Sequence, residues 1–185
     1  MKIQNLDIPA VKLIIPKKFG DDRGFFMETF RQNLFNNTIG QRVTFVQDNH
    51  SLSEFAGTIR GLHFQAPPRA QGKLVRCVKG SILDVAIDIR KSSPTYGVYV
   101  SAKLSAENAN QLWVPEGFLH GFATLEPKTE VVYKVTDYYA PESDGNVRWN
   151  DSSLAIDWGI DTGQAIISEK DMKAPLFKDF TSPFT

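Results

Sequence analysis

Apolar and polar residues alternate with a period of two along most of this chain, and no long stretch shows the 3.6-residue period of an amphipathic helix. The clearest run is Ser81 to Arg90. There Leu83, Val85, Ile87 and Ile89 fall on one face and Asp84, Ala86 and Asp88 on the other. Lys73 to Val78 alternates in the same way and joins that run through a Lys79-Gly80 turn. Tyr96 to Leu104, Gln111 to Val114, Gly121 to Leu125 and Glu130 to Tyr138 continue the series, with a break at Ser92-Ser93-Pro94. Nearer the start, Lys2 to Pro16 reads as an extended segment and Phe19 to Phe30 alternates around a Gly20-Asp21-Asp22 turn. Val43 to Gln47 reads as a short strand. Two short helices are predicted, Arg31 to Ile39 before Gly40 and Ser168 to Lys173. Ala140 to Asp151 reads as a polar loop and Pro175 to Thr185 as a tail. A parallel α/β sheet needs crossover helices that this pattern does not supply. The predicted fold class is therefore all-β, an antiparallel sandwich or barrel with a few short helices, in one domain over residues 1–185.

Composition narrows the partners. With 42% hydrophobic and 23% charged residues the chain is an ordinary globular sequence. Its 21 basic and 21 acidic residues cancel, so the basic excess expected of a nucleic-acid-binding protein is missing. A small anionic ligand stays possible, because a pocket needs only a few local Arg or Lys residues. The single cysteine, Cys77, excludes an intrachain disulfide. The apolar run Val11 to Ile15 is broken by Lys12 and stopped by Pro16, so it makes no signal peptide, and no segment is long and apolar enough to cross a bilayer. A cytoplasmic location without a membrane partner is expected.

Chemistry concentrates around three histidines, His50, His63 and His120. A His-x-His pair with a nearby Glu would suggest a metal-binding barrel, but Phe64 and Gln65 follow His63. Acid–base work suits an imidazole at neutral pH, and His63 alternates away from Leu62 and Phe64. A buried, backbone-satisfied histidine would give the same pattern. Lys73 opens a strand and Arg60 precedes His63; they are either surface charges or cations beside a developing enolate. Tyr133 shares a face with Val131 and Val135, which points it inward, as a core residue or a cavity residue. Ser168-Glu169-Lys170-Asp171 fits a capping box, with Asp171 at its end.

Taken together the segments are similar to a family. Gly20-Asp21-Asp22-Arg23-Gly24-Phe25-Phe26-Met27-Glu28, Gln47-Asp48-Asn49-His50-Ser51 and Ile59-Arg60-Gly61-Leu62-His63-Phe64-Gln65 resemble the dTDP-4-dehydrorhamnose 3,5-epimerases. So do Gln71-Gly72-Lys73-Leu74-Val75-Arg76-Cys77, Asp84-Val85-Ala86-Ile87-Asp88-Ile89-Arg90, Trp113 through Phe122, Tyr133-Lys134 and Ser168 through Asp171. The order is the family's across nearly the whole chain.

The resemblance implies a cupin-like jelly-roll barrel, a homodimer whose N-terminal strands add to the partner's sheet, a dTDP-4-keto-6-deoxyglucose substrate, no metal and no cofactor. It implies His63 as general base with Asp171 behind it, Tyr133 as general acid and Lys73 as the group stabilising the enolate oxygen. Arg60 and His120 are implied contacts to sugar and phosphate, and Lys170 a further substrate contact. Arg23, Glu28, Gln47 and Asn49 fall at nucleotide-binding positions, with Arg23 and Glu28 reaching the neighbouring subunit's site. Phe26 and Tyr138 are candidates to stack on thymine. Asp144 stands where relatives often carry Glu, with the same charge and a shorter reach. Three rivals remain open at this point: an epimerase of one carbon only, a non-catalytic nucleotide-sugar-binding cupin, and a metal-dependent cupin.

Overall fold

The computed structural model describes residues 2–185. Its first strands are β1 (Lys2–Asn5), β2 (Lys12–Ile15), β3 (Lys18–Asp21) and β4 (Gly24–Met27). Helix α1 (Gln32–Ile39) follows and ends at Gly40, whose φ of 74° is easy only for glycine. Then come β5 (Gln47–Ser53), β6 (Thr58–Gln65), β7 (Lys73–Lys79), β8 (Ser81–Asp88), β9 (Tyr99–Ser105), β10 (Gln111–Val114), β11 (Phe118–Thr124) and β12 (Thr129–Val135). The chain finishes with β13 (Asp144–Asn146), β14 (Ile166–Ile167) and α2 (Glu169–Met172).

Two mostly antiparallel sheets face each other. One has the order β1-β2-β10-β7-β12-β5; the other runs β13-β6-β11-β8-β9, with β14 added parallel to β6. Between them lies one apolar cluster, with Val75 and Cys77 of β7, Ile82 and Ala86 of β8, Leu112 of β10, and Phe118 and Phe122 of β11. Burying each of its Val, Ile, Leu and Phe side chains contributes roughly 1.5–3 kcal/mol. The architecture is the cupin-like jelly roll that the resemblance implies.

Two further cores cover the outer faces. On the first sheet, Phe35 of α1 packs with Ile14, Leu74 and Trp113, and Phe30 and Phe45 close over them. On the second sheet, Leu83, Val85, Ile87 and Ile89 meet Val147, Trp149, Leu154, Trp158 and the rings of Phe177, Phe180 and Phe184. The predicted loop 140–151 and tail 175–185 are thus a cover layer, and the loop holds the short strand β13. The predicted strand Val43–Gln47 is also corrected: pairing begins at Gln47, while Val43 and Phe45 pack beneath α1 as irregular chain.

Hairpin β3–β4 is a separate two-stranded sheet. Phe19, Phe25 and Phe26 are 52%, 59% and 71% exposed on it. Among the described residues no helix is long and apolar enough to cross a membrane.

Candidate active site

The inner faces of the two sheets become polar toward one end, and cross-strand register explains which residues meet there. In the first sheet, Tyr133 pairs across with Asn49 and Val75, Val135 with Gln47 and Lys73, and Val131 with Ser51 and Cys77. A period of two keeps Gln47, Asn49, Ser51, Lys73 and Tyr133 on one face. In the second sheet His63 pairs with His120.

Simple alternation would send Arg60 and His63 to opposite faces. The β6–β11 register slips between His120 and Phe122, so Phe122 pairs with Arg60. The extra residue lies at Gly61, whose φ is +127°. A Cβ there would stand 2.7 Å from Gly121 Cα, so the close approach of the strands also demands glycine. A bulge of this kind re-aims a side chain. Arg60 and His63 both reach the same cavity as a result.

That cavity has a volume of about 440 Å³ and is walled by Arg60, His63, Lys73, His120, Tyr133 and Asp171, among others. A second compartment of about 310 Å³ adjoins it, sharing His63, Lys73, Tyr133 and Lys170 and adding Gln47, Asn49, Gln71, Tyr139 and Asp144.

His63 Nε2 lies 2.6 Å from Asp171 Oδ1. Asp171 is almost fully buried, and its Oδ2 accepts a longer bond of 3.4 Å from the Gly61 N–H. Burial, the largest single influence, would raise the Asp171 carboxyl, but the hydrogen bond and charge of His63, with the bonds from Ser168 and Gly61, together hold the group below its ordinary value. A carboxylate only accepts, so the Nε2 proton stays on the ring and the Nδ1 lone pair is left free. Both readings of Asp171 hold together: Ser168 Oγ caps α2 by accepting from the Asp171 N–H while the Asp171 side chain turns to His63.

Lys73 is forced toward its neutral form by burial, which pushes its pKa down to about 8, while the charges of Asp144 and Asp84 pull the other way. Burial raises the Tyr133 phenol, with Arg60 opposing. Arg60 is held by bonds to Ser53 Oγ at 3.1 Å and the Leu52 carbonyl at 3.0 Å. Lys170 donates to Asp144, which raises the Lys170 pKa. His120 Nε2 lies 2.7 Å from Asp84 Oδ1.

The structure therefore gathers His63, Tyr133, Asp171, Lys73, Arg60, His120, Lys170, Gln47, Asn49 and Asp144 around one connected space. It does not bring Arg23, Phe26, Glu28 or Tyr138 into that space. The first three lie on or just beyond the exposed hairpin, where Arg23 pairs with Asp21 at 2.5 Å and Glu28 with Arg31 at 3.1 Å. The Tyr138 ring is exposed, and its neighbour Tyr139 lines the wall instead. Sequence reasoning missed Asp84, Ser51, Gln71 and Tyr139. The signal for Asp84 was present, since an acid shares a strand face with Ile82 and Ala86, but that face reads equally well as solvent-facing.

A cupin-like barrel with an imidazole–carboxylate pair, a buried lysine and a phenol around one cavity defines a class, the cupin-like isomerases. Within that class the chain belongs to the dTDP-4-dehydrorhamnose 3,5-epimerase family, whose sequence model matches residues 5–179. It is 54% identical over 169 residues to the dTDP-4-dehydrorhamnose 3,5-epimerase of Salmonella typhimurium, covering 91% of each chain. Its fold matches the dTDP-6-deoxy-D-glucose-3,5-epimerase of Legionella pneumophila, solved in complex with dTDP-4-keto-L-rhamnose, with a TM-score of 0.94. That pair is 43% identical, over 100% of this chain and 98% of the other. A 3'-monoepimerase from Streptomyces bikiniensis, solved with dTDP-quinovose, is also similar, with a TM-score of 0.87 and 31% identity over 95% of this chain and 87% of that one.

Proposed function

We propose that residues 1–185 form one epimerase domain that inverts C3 and C5 of dTDP-4-keto-6-deoxy-D-glucose, giving dTDP-4-keto-L-rhamnose for dTDP-rhamnose biosynthesis. The observation that carries this is the His63–Asp171 pair, 2.6 Å apart, opening on a cavity that also holds Lys73 and Tyr133.

The hydrogens on C3 and C5 are both α to the C4 ketone. His63 Nδ1 takes one of them, and the electron pair collects on the C4 oxygen as an enolate. Asp171 steadies the imidazolium so formed. The Lys73 ammonium meets the oxygen's charge in a site poor in water, where such a contact is worth most. Inversion requires that the returning proton arrive from the other face of the ring. His63 belongs to one sheet and Tyr133 to the other, with the cavity between them, which supports Tyr133 as the donor. Its raised pKa keeps the phenol protonated until it is needed. Arg60 and Lys170 supply positive, donating groups for the sugar and diphosphate and His120 a further polar contact to the sugar, with Gln47, Asn49 and Asp144 in the adjoining compartment.

The working assembly is a homodimer in the cytoplasm. Exposed aromatic rings on hairpin β3–β4, and Arg23, Phe26 and Glu28 lying away from their own chain's cavity, support a hairpin that reaches the partner's site. The Tyr138 ring, exposed beside the second compartment, is left as a stacking surface for thymine.

Incubation with dTDP-4-keto-6-deoxyglucose in heavy water tests the reading. Deuterium is expected at both C3 and C5 of an inverted product. Label at one carbon alone would make the chain a monoepimerase like the Streptomyces relative, and no label would end the epimerase assignment.

A further inference from the structure

The cavity holds a second imidazole–carboxylate pair. His120 and His63 are direct cross-strand partners on β11 and β6. Each meets a buried carboxylate through Nε2, at 2.7 Å for Asp84 and 2.6 Å for Asp171. Among the described residues neither ring makes a hydrogen bond through Nδ1, and neither Nδ1 is a buried atom lacking a partner. Nδ1 is therefore the nitrogen each ring presents to the cavity.

The two carboxylates differ in what else they do. Asp171 also accepts from the Gly61 backbone and sits on a capped turn. Asp84 is fully buried, and its Oδ1 meets only His120. Its Oδ2 has no protein partner among the described residues. A sealed carboxylate with one unsatisfied oxygen is costly to a fold. Its neighbours on that face, Ile82 and Ala86, belong to the apolar cluster, where an aliphatic residue would pack without that cost. Such a group persists where its charge and its grip on a partner serve the site.

We propose that Asp84 is a positioning residue for the reaction: its carboxylate fixes the His120 ring through Nε2, so that Nδ1 faces the sugar, and supplies a fixed negative charge to the surroundings of Lys73. The proposal rests on the epimerase reading above and deepens it. The other ionisable groups facing Lys73 are Asp144 from β13, His63 and Arg60 from β6, His120 from β11, Tyr133 from β12, Tyr139 from the segment after it, and Lys170 and Asp171 from α2. Asp84 and Asp144 are the two whose charge favours the ammonium form of Lys73. Removing either makes that form harder to keep.

Asp84→Asn separates the two parts of the claim, because an amide oxygen still accepts from His120 while the charge is gone. Asp84→Ala removes both. In Asp84→Asn, kcat is expected to fall about tenfold to a hundredfold while KM moves less than about threefold. The alkaline limb of its pH–rate profile is expected to shift to lower pH. Asp84→Ala is expected to lose more kcat and to loosen substrate binding as well. An unchanged kcat, an effect on KM alone, or an alkaline limb that stays in place in Asp84→Asn would overturn the proposal.

A readout without any variant guards against misfolding. Nitrogen-15 spectra of the histidine rings in the wild-type protein should show His120 carrying its proton on Nε2 with Nδ1 unprotonated or exposed to ligand. A proton resident on Nδ1 with Nε2 bare would sink it. The spectra stand even if the wild-type protein fails to turn over the keto sugar, so a failure of the enzyme reading and a failure of this proposal are told apart.

Discussion

The cavity and hairpin β3–β4 are built on opposite plans. In the cavity, polar groups lie inside an apolar barrel and most hold a partner: His63 with Asp171, His120 with Asp84, Lys170 with Asp144. On the hairpin, aromatic rings face outward and the charged pair Arg23–Asp21 hangs in solvent. Dry surroundings shift proton affinities and strengthen each contact in the first case; water screens them in the second. Every group proposed for the proton transfers lines the cavity from one chain. The hairpin makes sense only when something covers it, because both of its faces are exposed.

The largest effect that would test this contrast is at His63. His63→Ala removes the proposed base and leaves the rest of the cavity in place. Proton exchange at both carbons is expected to fall on the order of 10³-fold, within the range general-base catalysis supplies, with dTDP binding close to wild type by calorimetry. Loss of fold and nucleotide binding together would instead make His63 a structural residue.

Lys73→Met comes next, with two effects of opposite sign. Losing the cation proposed to meet the enolate oxygen should lower kcat about 10²–10³-fold. Stability should rise. An unfolded lysine titrates near 10.5, and burial brings the folded Lys73 to about 8. Below pH 8 both states carry the proton and the folded state bears the full burial cost. Between about pH 8 and 10.5 the folded state has released a proton that the unfolded state keeps, so stability grows as pH rises through that window. Melting curves at pH 7 should therefore place Lys73→Met above wild type. The same titration should make wild-type turnover fall as pH rises through about 8. A variant that melts lower, or a wild-type rate flat past pH 9, would break the account of Lys73.

Alternation along the chain revealed much of the barrel because strands with a core beneath them record it. Tyr133 points inward with Val131, as its parity predicted. The same rule has two blind spots here. It cannot see a bulge, so Arg60 and His63, three apart, read as opposite-facing until Gly61 is seen to take up the extra residue. Nor can it see a second layer: Val85 and Ile87 are buried, and Leu83 partly so, on the outer face by the segment read as loop and tail. Asp84 is hidden from it for a related reason, since a charge alternating with apolar residues reads as solvent-facing unless both faces are known to be covered. The hairpin is the limiting case. Resemblance marked Arg23, Phe26 and Glu28, and nothing within one folded chain gives them work.

The smallest effect is the one that decides what the hairpin is for. Arg23 is exposed in its own chain, so Arg23→Ala should leave stability within about 0.5 kcal/mol of wild type. If Arg23 contacts the nucleotide of the neighbouring site, KM should rise about tenfold with kcat little changed, the signature of a lost uniform binding contact. A mixture of chains makes the test sharper. Arg23→Ala and His63→Ala proteins, unfolded together and refolded into mixed dimers, should generate one site holding the intact His63 of one chain and the intact Arg23 of the other. That site should turn over with the wild-type KM, although neither parent does. If Arg23 serves only its own chain, every site in the mixture is defective in one residue or the other, and no wild-type KM returns.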